Sequence, residues 1–215
     1  MGIFNMNSTL VRVMEKIGDL IILNLMFLLC SLPLITIGAS ISALYYTALK
    51  LIRNNEGSII REFFYAFRSN LKQATAIHLI MTAAGGVLVF DFYYMQFVIH
   101  AAGILYTFWL LVFILLAIVY YLTLLYVYGV LAQFHNTTRQ TIKNALLLAV
   151  SYPKHTLLIL ICPAITVVML SINVKSFFWT ITLYLIIGFS GSIYGQSLLL
   201  KHIFDTLIPG KEQQL

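Results

Sequence analysis

Two long stretches of this chain are almost free of charge: Asp19 to Tyr46 carries only Asp19 itself, and Gly103 to Ala132 carries no charged side chain. A helix that crosses a bilayer needs about 20 mostly apolar residues, and lipid offers the backbone no hydrogen-bond partners outside the segment itself. The 215 residues therefore predict an all-α, polytopic transmembrane bundle of five or six spans in a single domain, with little chain left for a soluble one. Composition agrees, with 61% hydrophobic and 9% charged residues against about 25% charged in a soluble domain.

Thirteen Lys and Arg against seven Asp and Glu give a net charge of +6. A basic chain of this kind invites a nucleic-acid reading, but that requires a basic face or domain. Here the basic residues sit between apolar runs, where the positive-inside rule places cytoplasmic Lys and Arg. The expected surroundings are a lipid bilayer, with no nucleic acid. Cys30 and Cys162 lie inside apolar runs without a partner at metal-like spacing and read as small core residues. Gly2 is present, but Met6 stands where a myristoylation signal wants Ser or Thr. Glu15 and Asp19 precede the first apolar stretch and no good small-x-small site follows it, so signal-peptide cleavage is not expected.

The first apolar run, Ile17 to Leu51, is too long for one span and contains Ser31-Leu32-Pro33-Leu34-Ile35-Thr36-Ile37-Gly38. Proline removes an amide donor and clashes with the preceding turn, so a helix is expected to end near Ser31 and another to start near Thr36 or Gly38. The alternative is a single kinked helix, since neighbours often accommodate proline within membrane helices. Further spans are expected at Leu71–Phe90, at Ile104–Phe134 as the longest, at Thr156–Ile172 and at Phe177–Lys201, with a loop over Asp91–Ala102. Lys50, Arg53, Arg61, Arg68 and Lys72 crowd one connection, and Arg139, Lys143 and Lys154 another. Six crossings put both connections, Arg12, Lys16, Lys201 and Lys211 in the cytoplasm, with both termini inside; five would put the amino terminus outside.

The basic connections carry helical patterns of their own. Ile60, Phe63, Phe64 and Phe67 recur at helical spacing, while Arg61, Glu62 and Arg68 take other faces. This predicts a short cytoplasmic amphipathic helix N-capped by Ser58, whose apolar face of Ile60, Phe63, Phe64 and Phe67, with Arg61 and Arg68 beside it, either lies in the membrane interface or anchors a partner. Thr137 to Tyr152 predicts a second, with Ile142, Ala145, Leu146, Ala149 and Val150 on one side. A shift of 81 positions sets Ile37 on Ile118, Tyr45 on Tyr126 and Thr75 on Thr156, which raises a weak duplication of 17–97 in 98–178.

Gly188, Gly191, Ser192 and Gly195 form a small-residue stripe on the last span, suited to close helix approach within the bundle or against a partner's transmembrane helix. Asn24, His78, Tyr120, Tyr121 and Gln196 are the intramembrane polar or amphipathic positions. They either hydrogen-bond across helices or surround a small ligand, with aromatic rings suited to stacking on a sugar. Nothing indicates catalysis, a metal or a cofactor. The histidines are dispersed, and neither H-E-x-x-H, G-x-S-x-G nor a G-x-x-x-x-G-K-[ST] loop occurs.

Gly18-Asp19-Leu20-Ile21-Ile22-Leu23-Asn24-Leu25, then Leu29 to Ala39 with its Ser-Leu-Pro-Leu-Ile-Thr-Ile-Gly core, Ala43-Leu44-Tyr45-Tyr46, and Phe63 to Ala74 resemble the bacterial YesL-like membrane protein family. The likeness is most specific over the first 75 residues. The family is of largely unknown function and is associated by genomic context with carbohydrate uptake of the ATP-binding-cassette (ABC) type. The resemblance implies a bacterial cytoplasmic-membrane protein acting as a non-enzymatic accessory or regulatory subunit, with ABC permease and ATPase subunits as partners and a sugar as ligand. No E-A-A…G permease pattern is present, which argues against an ordinary permease subunit. The alternative is a stand-alone small-solute transporter or a lipid- or solute-binding membrane protein.

Overall fold

The computed structural model of the chain describes residues 9–54, 57–97 and 103–207. Gly2, Met6, His100, Ala102 and Lys211 lie outside them. The described residues are helical with no strand: α1 (Thr9–Ser31), a short 3-10 turn (Leu34–Thr36), α2 (Ile37–Ile52), α3 (Ile59–Phe97), α4 (Ile104–Gln133), α5 (Thr138–Ser151), α6 (Pro153–Ile172), α7 (Val174–Leu183) and α8 (Phe189–Leu207). A π-helical stretch, Tyr184–Gly188, joins the last two into one rod. Five helical segments are long and apolar enough to cross a membrane, Leu34–Ile52, Ile59–Phe97, Tyr106–Gln133, Pro153–Ile172 and Val174–Leu207, so this is a multi-pass membrane protein.

The break at Pro33 is a hairpin. α1 ends at Ser31 and α2 starts at Ile37, and Thr36 Oγ1 closes the turn by donating to the carbonyls of Cys30 (2.7 Å) and Pro33 (2.8 Å). At the other end Lys16 Nζ reaches Asn54 Oδ1 at 3.4 Å, so α1 runs antiparallel to α2. α1 is less suited to lipid than the rest because Arg12, Glu15, Lys16 and Asp19 fill its first half. Its apolar part from Leu20 to Ser31 covers about 18 Å.

α2 is the axis of the bundle. Gly38, Ala39, Ser40, Ser42, Ala43 and Ala48 are all buried on it, and small side chains let neighbouring backbones approach where lipid supplies no hydrophobic drive. α1, α3, α4 and α8 pack around it. Its hydroxyls are satisfied locally, Ser40 donating to Thr36 O at 3.1 Å and Thr47 to Ala43 O at 2.9 Å. α2 stops at Arg53 because Asn54 turns left-handed, with φ 53°, a conformation that asparagine tolerates better than most residues.

Three expectations are corrected. The amphipathic helix over Ser58–Arg68 is not separate: it forms the first turns of α3, since Ser69-Asn70 weakens a helix without breaking it. The Asp91–Ala102 loop is helical as far as Phe97, with the Asp91 carboxylate accepting the Trp109 Nε1–H bond at 3.2 Å. α3, with 39 residues, rather than α4 is therefore the longest helix, at about 58 Å. α5 stands as expected, and Thr137 and Gln140 cap it reciprocally. Its buried face is Thr141, Ala145 and Ala149, however, while Val150 points outward. Under the shift of 81, the end of α2 at Ile52 falls on the end of α4 at Gln133, whereas the Pro33 turn falls within unbroken α4 and the Tyr152–Pro153 break falls on Leu71 and Lys72 within unbroken α3.

Candidate functional site

The basic connections meet at one end of the bundle. Arg53 Nη2 contacts Asp205 Oδ1 at 3.2 Å, joining the ends of α2 and α8. Gln73 Nε2 donates to Asn136 O at 2.6 Å, joining α3 to the α4–α5 connection. The first turns of α3 lie against the last turns of α2, held by Lys50 Nζ to Glu62 Oε2 at 2.9 Å. The same ammonium stands 5.1 Å from the Tyr46 ring centroid, a cation–π contact. Its side chain is only 13% exposed, so the carboxylate and the ring replace most of its water.

Between these elements lies a cavity of about 650 Å³. Tyr46 and Lys50 of α2, Arg61, Glu62, Tyr65, Ser69 and Asn70 of α3, and Gln133, Phe134 and His135 at the end of α4 line it. A shallower groove of about 510 Å³, lined by Arg61, Phe64, Tyr65, Arg68 and Ser69, runs along α3 beside it. Arg61, Tyr65 and Ser69 border both.

This arrangement divides the expected aromatic face. Ile60 (50% exposed), Phe64 (42%) and the flanking Arg61 and Arg68 do point outward. Phe63 is fully buried among Leu20, Leu23, Phe27 and Leu44, and Phe67 stacks on it at 6.4 Å. Inward packing wins because α1 and α2 cover that side of α3, a covering that spacing within the helix does not reveal. Tyr65, 62% exposed, is the outward residue the pattern missed; its place next to Phe64 was the available signal.

The intramembrane polar positions line neither the cavity nor the groove. The buried Asn24 side chain clasps the π-helical stretch: Nδ2 donates to the carbonyls of Tyr184 (3.1 Å) and Leu185 (2.8 Å), and Oδ1 accepts the Ser190 N–H bond at 3.1 Å. Ser190 Oγ returns to Leu20 O at 2.7 Å. These are the backbone groups that a π-bulge leaves without their α-helical partners, so a single amide on α1 holds the bulge. Gln196 accepts a hydrogen bond from Tyr45 between α8 and α2. His78 Nδ1 lies 3.0 Å from Tyr128 OH between α3 and α4. Tyr120 approaches Gly85, where an added Cβ would stand 2.7 Å from its hydroxyl. Tyr121 is turned outward on α4.

The small-residue stripe is not the tight internal contact that its spacing allows. An added Cβ on Gly191 or Gly195 meets nothing within 4 Å. Gly188 is crowded, but by Tyr184 of its own helix, 2.7 Å away; the Tyr184 hydroxyl also meets Thr166 and Ser192. Close approach occurs instead at Gly38, where a Cβ would stand 2.7 Å from both Ala74 O and His78 Cβ, and at Gly129, 2.6 Å from Leu200 Cδ1. Cys30 and Cys162 are half-buried free thiols rather than core residues.

The family model described as "Protein of unknown function, DUF624" matches residues 20–92. The matched stretch holds the Pro33 hairpin, α2 and most of α3, and with them two walls of the cavity; the α4 wall lies beyond it. No curated protein and no solved structure matches the chain.

Proposed function

We propose that this chain is a YesL-like, non-enzymatic accessory or regulatory subunit of a bacterial ABC-type carbohydrate uptake system, with its basic end in the cytoplasm. The observation that carries this reading is the outward ridge at the start of α3, where Ile60, Arg61, Phe64 and Arg68 are all exposed. Aromatic and arginine side chains are the residue types enriched at the energetic centres of protein interfaces. The ridge lies within the family-matched part of the chain, residues 20–92. It lies at the end where positive-inside reasoning puts the ATPase of such a system.

Co-purification tests the proposal. The chain, isolated gently from its native membrane, should carry permease and ATPase subunits in fixed ratio, and Phe64→Ala with Arg68→Gln should release them. Both side chains line the outer groove and neither lines the cavity, so the bundle should still fold. Unchanged partner recovery in this variant would remove the ridge from the reading. The cavity favours a second reading, a solute- or lipid-binding protein acting alone. Reconstituted chain that moves radiolabelled sugar without a partner would establish that alternative.

A further inference from the structure

The cavity at the basic end shares Arg61 with the partner ridge and adds Lys50, Glu62, Asn70 and Gln133 to it. Glu62 neutralises Lys50 at 2.9 Å, whereas Arg61 has no ion pair with a carboxylate among the described residues. The lining is therefore left with one uncompensated guanidinium, suited to bidentate contact with a phosphate. On the α4 wall, Gln133 Oε1 is buried without a hydrogen-bond partner, an arrangement that normally costs about 1–3 kcal/mol per group. A buried acceptor facing that cost calls for a donor, and the Gln133 amide must turn toward the cavity to meet one there. Asn70 gives its Nδ2 to Ser42 Oγ at 3.3 Å and keeps its carbonyl oxygen to accept. Ser69 and the hydroxyls of Tyr46 and Tyr65 complete a lining rich in groups that pair with hydroxyls.

The volume of about 650 Å³ lies within the range of small-molecule sites, roughly 300–1,000 Å³. Depth is also informative. α3, with 39 residues, exceeds a hydrocarbon core of about 30 Å by about 28 Å, so its first turns stand at headgroup level or in water. An anion can reach Arg61 there without entering hydrocarbon.

We propose that the cavity bounded by Lys50, Arg61 and Gln133 binds a hydroxylated phosphate ester of the glycerol phosphate kind, its phosphate on Arg61 and a hydroxyl donating to Gln133. Two sources present this chemistry: the headgroup of phosphatidylglycerol and a soluble ester such as glycerol 3-phosphate or glucose 6-phosphate. Arg61 borders both the cavity and the outer ridge, so the test uses the purified full chain alone, where no partner competes for it.

Thermal unfolding and titration calorimetry should be run with the two soluble esters in neutral detergent, and in nanodiscs of phosphatidylglycerol compared with phosphatidylcholine. Stabilisation by phosphatidylglycerol alone assigns the headgroup; stabilisation by a soluble ester assigns the free compound. Arg61→Gln, at an exposed position, should weaken the response about tenfold, the loss of one charge-assisted contact. Gln133→Met should raise the melting temperature of the ligand-free chain, because it removes the unpaired acceptor, and weaken binding. Silence in both arms, equal stabilisation by phosphatidylcholine, or a response unchanged in both variants would overturn the proposal.

Discussion

Gly38 and His78 meet so closely that a methyl group on the first would stand 2.7 Å from the Cβ of the second, with Ala74 O at the same distance. This contact sets the spacing of α2 and α3 at the Pro33 end of α2. Gly38→Ala should therefore destabilise the chain by about 1–3 kcal/mol through overpacking. Gly191→Ala, with open space around its Cβ, should be neutral or add up to about 1 kcal/mol of helix propensity. Thermal unfolding of both in one detergent decides the matter, and equal losses would contradict this packing.

The clasp on the π-helical stretch rests on one side chain. Asn24→Leu leaves the Ser190 amide and the Tyr184 and Leu185 carbonyls without the bonds it now supplies, at about 1–3 kcal/mol for a buried group left unpaired. Tyr45→Phe removes a single hydroxyl bond to Gln196 and should cost less. A melting temperature lowered more by Tyr45→Phe than by Asn24→Leu would place the stronger tie between α2 and α8.

For the ion pair at the cavity, the sign of the effect depends on which partner is lost. Glu62→Gln strands Lys50, whose side chain is 13% exposed, and breaking an enclosed pair from one side costs up to about 3–5 kcal/mol. Lys50→Met together with Glu62→Leu removes both charges and should be milder than the single change. A double variant less stable than Glu62→Gln would show that the pair contributes net stability.

Sidedness follows from the gathering of basic residues at one end. In intact cells a cysteine replacing Arg139 should resist an impermeant thiol reagent, and one replacing Gln96, near the far end of α3, should react. The reverse pattern would invert the proposed orientation.

The hairpin at Pro33 and the span ends near Ser31, Gln133 and Ile172 were legible because proline, a change in polarity or a polar turn marks each of them. The run from Ser58 to Leu71 was misleading, since amphipathic spacing signals a helix but not whether it stops. Continuity depends on a breaker, and Ser69-Asn70 is not one. Spacing on α3 also could not separate Phe63 from Phe64, because which of two adjacent rings is enclosed depends on where α1 and α2 lie. The cavity brings together α2, α3 and α4 from positions far apart in sequence, and no local pattern announces such a meeting. Gly191-x-x-x-Gly195 shows the converse: its spacing permits close contact, but only a neighbouring helix in the right place makes one.

The single surplus residue in Tyr184–Gly188 gives the last rod a phase. An α-helix advances by about 100° per residue, and the wider π turn takes up the extra residue, so deleting one there would restore regular winding with everything downstream near its present face. A deletion just beyond it, in regular α8, would instead swing Gln196 away from Tyr45, Leu200 from Gly129, and Asp205 from Arg53. The carboxy-terminal end of the rod is therefore aligned by a count of residues as well as by their identities, and a one-codon deletion early in α8 would reach Arg53 as a rotation.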